Sequence, residues 1–229
     1  MNRRKFITKT LAVGTAVSIS STTANAGDRK SIKILGISCS PRKGKTTAIA
    51  IKAALDAAKK VDSRIEVELI DLGGLEIPGF SGSSKPAGSG KTTDDFDRIL
   101  PKLREPNVGG WIIGSPVYFR SMSALCKAFL ERCAVLRKPR LFLADTVSGA
   151  LAVGAFRNGG QELVIDQIHN ILLCHEMVIV GGKPGAHQGA TLWNAYKDDI
   201  TKDEFGMDTA GKLGIRVAEA ALRLASKKT

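Results

Sequence analysis

Residues 36–47 read GISCSPRKGKTT. This stretch joins a short apolar run, Ser31 to Ser38 (SIKILGIS), to a segment from Thr46 to Lys60. In that second segment Ile49, Ile51, Ala54, Leu55 and Ala58 recur at the spacing of one helix face. A strand that feeds a helix through a short loop leaves free helix N–H groups and the positive end of the dipole facing the loop. That is a natural anion site. Ser40, Thr46 and Thr47 add hydroxyl donors, and Arg42 and Lys45 add charge.

Gly44-Lys45-Thr46 is also the closing half of a P-loop, G-x-x-x-x-G-K-[ST]. Counting back from Gly44 puts Cys39 where the first glycine belongs, and that glycine lets the loop wrap a polyphosphate. A nucleoside triphosphatase also needs an acid at the end of the third strand to hold Mg²⁺. The sequence there is Gly114-Ser115-Pro116, and Asp71, closing the second strand, is a poorer candidate. Gly88 to Thr93 (GSGKTT) repeats the Gly-Lys-Thr run but has no strand before it. The stretch at 36–47 therefore fits one phosphate better than three.

Working outward, Arg64–Leu72 (RIEVELIDL) alternates as a strand, and a Gly/Ser/Pro-rich insert follows it. Thr93–Leu103 reads as a helix with Asp94 and Asp95 in its first turn, where the dipole favours acids. Val108–Gly114 is a third strand, Ser121–Leu136 an amphipathic helix, and Val147–Ala155 a fourth strand. Gly160–Glu176 is a helix and Met177–Gly181 a fifth strand. A loop holding Trp193 and Tyr196 leads to a last helix from Thr209 to Ala225. Strands alternating with helices and no hairpin signals define an α/β fold with a parallel sheet covered on both faces. Five strands fit a three-layer doubly wound sandwich of order 2-1-3-4-5, with a ligand crevice at the strand C-termini.

Two further loops belong at that crevice. Residues 114–123 (GSPVYFRSMS) put two aromatics and a methionine beside backbone groups, which suits a flat ring with amide edges; the alternative is that Tyr118 and Phe119 pack the next helix. Residues 155–162 (AFRNGGQE) pair two glycines, which allow close approach of a ligand, with Asn158 and Gln161, which can bond a ring edge. The alternative is a helix start capped by Asn158. One phosphate grip, one ring platform and one glycine-rich edge make a mononucleotide site.

The first 26 residues stand apart. Arg3-Arg4 precedes a mildly apolar run, Thr10 to Ile19, and Ala24-Asn25-Ala26 offers a cleavage site. This order predicts a twin-arginine signal peptide, with residues 27–229 as a single domain in an exported, periplasmic compartment. The alternative is a basic tail with no targeting role. The run is too short and too polar for a stable membrane span, which needs roughly 20 apolar residues. The chain carries a net charge of +12, and losing Arg3, Arg4, Lys5 and Lys9 would lower it to +8. The positive charge is spread over several helices with few aromatics, so nucleic acid is not expected as a partner. Cys39, Cys126, Cys133 and Cys174 form no C-x-x-C pair and read as buried thiols, although export would permit disulfides. His169, His175 and His187 lack metal-ligand spacing; His187 could border a substrate mouth with Trp193.

The three loops, with GSPVYFRSMSALCKAFLER and AFRNGGQELVIDQIHNILLCHEMVIVGG as their longer contexts, resemble the flavin-binding segments of the flavodoxin-like NAD(P)H-dependent FMN reductase family. The nearest branch looks like the iron-sulfur flavoproteins. The resemblance covers nearly all of residues 27–229, and its middle segment is the most specific. It implies non-covalent FMN. Ser38, Ser40, Arg42, Lys45, Thr46 and Thr47 would hold the phosphate. Pro116, Val117, Tyr118, Phe119, Ser121 and Met122 would flank the ring and ribityl chain, and Arg157, Asn158 and Gly159 would close the far side. The flavin would carry the chemistry, so no catalytic side chain and no metal ligand is expected. Iron-sulfur members carry a cysteine cluster after the second strand. Here IPGFSGSSKPAGSGKTTDDF has none, so FMN is expected without an Fe–S cluster. The resemblance implies an oxidoreductase passing electrons from NAD(P)H to a small acceptor such as a quinone or free flavin; export, where NAD(P)H is scarce, opens the donor to a quinol or a redox protein. It also implies a homo-oligomer, dimer or tetramer. A flavodoxin-type carrier and, more remotely, a P-loop NTPase are the competing readings.

Overall fold

The computed structural model describes residues 30–82, 94–195 and 197–226. The expected signal peptide, the later part of the insert with its GSGKTT run (83–93), and Tyr196 lie outside the described residues.

Strand β1 (Ile32–Ser38) and strand β2 (Ile65–Asp71) pair in parallel, and β1 pairs on its other side with β3 (Val108–Tyr118). Strand β5 (Val147–Gly154) lies parallel to β3, and two short strands, β6 (Val178–Ile179) and β7 (Ala190–Trp193), follow one another along its outer side. The main path is β2-β1-β3-β5-β6, the expected order, but the sheet has seven strands where five were predicted. The two extra pieces are β7 and β4 (Ser121–Met122), which folds back antiparallel onto the end of β3.

Helices cover both faces. Helix α1 (Thr46–Lys59) and helix α5 (Glu204–Ala225) pack with Ile34, Ile112, Val147 and Leu151 in one core. Helices α2 (Phe96–Leu103), α3 (Ala124–Arg132) and α4 (Gln161–Leu173) close the other, around Leu35, Trp111, Ile113 and Phe129. Alternate residues of one strand thus feed opposite cores, as a doubly covered sheet requires. Each fully buried Ile or Leu contributes about 1.5–3 kcal/mol. No described helix is long and apolar enough to cross a membrane.

The last helix, expected from Thr209, already starts at Glu204, and the one expected to reach Glu176 ends at Leu173. Other boundaries moved for physical reasons. Strand β3 runs past Gly114 through Pro116 to Tyr118. Because β1 ends opposite Gly114, β3 has only one parallel neighbour there, and a proline lacking its N–H is tolerated. The helix expected from Ser121 starts at Ala124, because Ser123 caps it and Ser121–Met122 are taken by the hairpin; its end, Cys133–Arg137, tightens to 3-10 geometry. The edge strand is split because the chain leaves the sheet after β6 and returns at Gly189. A Cβ at Gly189 would lie 2.3 Å from the Ala150 carbonyl oxygen.

Candidate functional site

The C-terminal ends of β1, β3 and β5 bring the three predicted loops to one edge of the sheet. In loop one, Cys39 N donates to Gly114 O at 2.8 Å, and Ser40 Oγ accepts from Arg42 N at 3.1 Å. Gly44 takes a left-handed φ of 67°, and its N–H donates to Asp71 Oδ2 at 2.7 Å. The other oxygen of Asp71 accepts from Gly73 N at 3.1 Å. The carboxylate considered for Mg²⁺ is thus committed to shaping the loop. Lys45 precedes α1 in extended geometry, and no side chain caps the helix. Inside this turn Ser38 Oγ and Thr47 Oγ1 are buried with no hydrogen-bond partner. Arg42, Lys43 and Lys45 stay exposed above them.

Loop two turns sharply. Phe119 and Arg120 both have positive φ, 49° and 62°, which gives the hairpin a primed turn. A phenylalanine in this region is unusual and strained. Phe119 is fully exposed and Tyr118 is 41% exposed, which overturns the alternative that both pack the next helix. Pro116 and Met122 are buried, Val117 is half-buried, and Ser121 Oγ donates to Gln167 Oε1 at 2.9 Å. Beneath the turn, Ser123 Oγ donates to Cys39 O at 2.7 Å and accepts from Cys126 N at 3.0 Å. Ser123 therefore ties loop one to α3. The residue was not singled out from sequence; a serine just before a helical run was the available signal.

Loop three is held from within. Gln161 Oε1 accepts from Gly159 N at 2.9 Å, and its amide nitrogen donates to Phe156 O at 2.6 Å and Leu192 O at 3.2 Å. Expected to bond a ring edge, Gln161 is spent on the loop itself. Asn158 does not cap α4: Gly160 occupies that position with φ 103°. The Arg157 guanidinium lies 4.6 Å from the centre of the Trp193 ring and 3.7 Å from the buried Asp203 carboxylate. Trp193 Nε1 donates to Ala155 O at 3.0 Å. Between Arg120 of loop two, Arg157 and Asn158 of loop three, Trp193 and Phe205 opens a cavity of ≈ 480 Å³. Trp193 borders it; His187 lies on the connection between β6 and β7 and does not.

These residues fit a flavin mononucleotide. An uncapped 14-residue helix points its N-terminus at a loop with two unpartnered buried hydroxyls and three exposed cations. That donor set suits one phosphate monoester. The cysteines do not fit an iron–sulfur cluster. Cys39, Cys126 and Cys133 are buried in one apolar core, and Cys174 is exposed at the end of α4. Burial, then a hydrogen bond to Cys126, pushes the Cys39 thiol well up, and burial does the same to Cys133. Cluster ligands must be thiolates.

A doubly covered parallel sheet of order β2-β1-β3-β5, with three loops gathered at its C-terminal edge, defines a flavodoxin-like fold. The sequence profile of the NADPH-dependent FMN reductases matches residues 32–191, and the chain belongs to that family. It is 42% identical over 191 residues to an iron-sulfur flavoprotein of Methanocaldococcus jannaschii, covering 82% of this chain and 96% of that one. It is 35% identical over 184 residues to an iron-sulfur flavoprotein of Methanosarcina thermophila, covering 80% and 93%. Among solved structures, RosB with bound 8-demethyl-8-formylriboflavin-5′-phosphate superposes with a TM-score of 0.64 at 18% identity, over 86% of this chain and 80% of RosB. A flavodoxin-type WrbA-like protein of Agrobacterium tumefaciens gives 0.58 at 15% identity, over 84% and 99%. These two likenesses concern the fold alone.

Proposed function

We propose that this chain is an exported FMN-dependent oxidoreductase without an iron–sulfur cluster. It takes electrons from NAD(P)H, a quinol or a redox protein and delivers them to a small acceptor such as a quinone. The observation that carries the reading is the pair of unpartnered buried hydroxyls, Ser38 and Thr47, beneath an uncapped helix start. Bound FMN would supply the electron-transfer chemistry, singly or as hydride. The chain's part is to hold and shield it. Loop one and the start of α1 would grip the phosphate. Tyr118 and Phe119 would give the ring an aromatic wall, and Arg157, Asn158 and Gly159 would close the opposite side. The cavity lined by Arg157, Asn158 and Trp193 supports a small acceptor arriving on that opposite side. Export rests on Arg3-Arg4, the apolar run after them and the cleavage site at Ala26. Self-association as a dimer or tetramer rests on three exposed phenylalanines: Phe205, which lines the cavity, and Phe119 and Phe156, each next in sequence to a lining arginine, Arg120 and Arg157.

The test is purification of the exported form, an absorption spectrum, and anaerobic reduction by NADH, NADPH and a quinol in turn. Flavin bands that bleach with one donor, followed by turnover with a quinone, are expected. Reduction without small-molecule turnover would make the protein a carrier. A colourless protein that binds ATP tightly would sink the reading.

A further inference from the structure

A fourth loop reaches the phosphate site. Between β7 and α5 the chain passes through Lys197 and Asp198, both non-glycine residues with positive φ, 48° and 69°. Two consecutive left-handed residues persist only where their surroundings hold them. The loop is fixed at both ends. Asn194 N donates to Gly154 O at 2.8 Å, at the base of loop three, and Ile200 is fully buried in the core under α1 and α5. At its tip Asp198 takes both ends of the Arg42 fork. Arg42 Nη1 donates to Oδ2 at 2.7 Å and Nη2 to Oδ1 at 3.0 Å, across 156 residues of sequence. Asn194 Nδ2 donates to the same carboxylate at 2.9 Å.

We propose that Asp198 is the positioning residue of the phosphate site: it holds the Arg42 guanidinium over loop one, ready for the flavin phosphate. The inference rests on loop one being that site. An arginine has five N–H donors in a rigid plane, and Asp198 uses two, so the fork can keep its carboxylate and still face an anion. An arginine already held loses less rotamer freedom on binding. The Tyr118 hydroxyl is a lesser influence that, after Asp198, favours the charged form of Arg42, so loop two lies near the same guanidinium. Hydrogen bonds from Arg42 and then Asn194, with the charge of Lys45 further off, keep the Asp198 carboxyl below its ordinary range. The pair is therefore intact at neutral pH.

Charge alone predicts the opposite sign. Removing a carboxylate near a phosphate dianion would tighten binding, whereas removing the brace for Arg42 weakens it. Asp198→Asn separates the two and spares the turn, because asparagine tolerates left-handed backbone as well as aspartate does. The full chain, stripped of flavin, is titrated by fluorescence with FMN and with riboflavin, which lacks the phosphate. Asp198→Asn is expected to weaken FMN about fivefold, the scale of a partly exposed ion pair, and to leave riboflavin unchanged. In an Arg42→Ala background the same change should cost nothing more. Unchanged or tighter FMN binding by Asp198→Asn overturns the inference. So does an equal loss for both flavins, which would mark a merely structural role, or a loss that adds to that of Arg42→Ala. If Arg42→Ala leaves FMN affinity intact, the phosphate assignment falls and the inference with it. If Arg42→Ala weakens FMN and Asp198→Asn does not, only the inference falls.

Discussion

Ser38 and Thr47 each give up water on folding, and neither hydroxyl is bonded by the protein in return. Leaving a buried polar group unpaired costs about 1–3 kcal/mol, so a chain carries two of them at one turn only at a penalty. A phosphate monoester arriving at the helix start can accept from such hydroxyls. Thr47→Val keeps the shape and removes the oxygen. Thermal unfolding of the flavin-free variant should show no loss of stability, while FMN affinity falls about tenfold by titration. A variant that unfolds early and binds FMN normally would make Thr47 a structural residue. At this scale the sequence was informative about residue type and poor about direction. The hydroxyls and cations of GISCSPRKGKTT were legible as a candidate donor set for an anion. That Gln161 turns inward, that Asp71 shapes the loop, and that Asp198 meets Arg42 were not, because such contacts join residues far apart in the chain.

Among the elements, α1 and α5 lie unusually close. A Cβ at Gly214 would sit 1.9 Å from the Ala54 carbonyl oxygen, and backbone cannot move aside as a side-chain tip can. Gly214→Ala should therefore destabilise by about 1–3 kcal/mol, visible as a lower denaturant midpoint at unchanged slope. Helix α4 carries the other element-scale prediction. His169 Nε2, and His175 Nδ1 just beyond the helix, are buried without a partner. Burial lowers the pKa of both imidazoles; Arg137 lowers His175 further, and Asp166 opposes the shift at His169. The neutral forms are thus the folded forms. Above the ordinary value of about 6.5 both states are neutral and stability is full; as pH falls below it, the unfolded chain takes up protons first and stability is lost. The melting temperature should fall between about pH 7 and pH 5, and His175→Gln should flatten that slope. The helices and the inner strands were readable from periodicity. Strand β7 was not: ATLW sits in a glycine-rich stretch, and its four residues become a strand only because β5 offers an unpaired side.

For the molecule as a whole, the order β2-β1-β3-β5 followed from alternation of strands and helices, since parallel neighbours need a covering helix. Ligand linkage then gives a global readout. A phosphate-bearing ligand that binds only the folded chain stabilises it by about 2.7 kcal/mol at a hundredfold excess over Kd. FMN should raise the melting temperature under those conditions, ATP should not, and an ATP-induced rise would point back to a P-loop. The split strand at the end of the sheet has a further consequence. A long flat edge exposes a row of unpaired backbone donors and acceptors, an invitation to a strand of another molecule. Here that edge is two residues of β6, a detour, and four residues of β7. The opposite border, β2, carries Glu66 and Glu68, the latter braced by Lys33 and Lys102. Neither margin suits strand-by-strand growth. Copies of this protein meeting at high concentration would have to associate through faces and loops, and the folded chain should resist fibril formation.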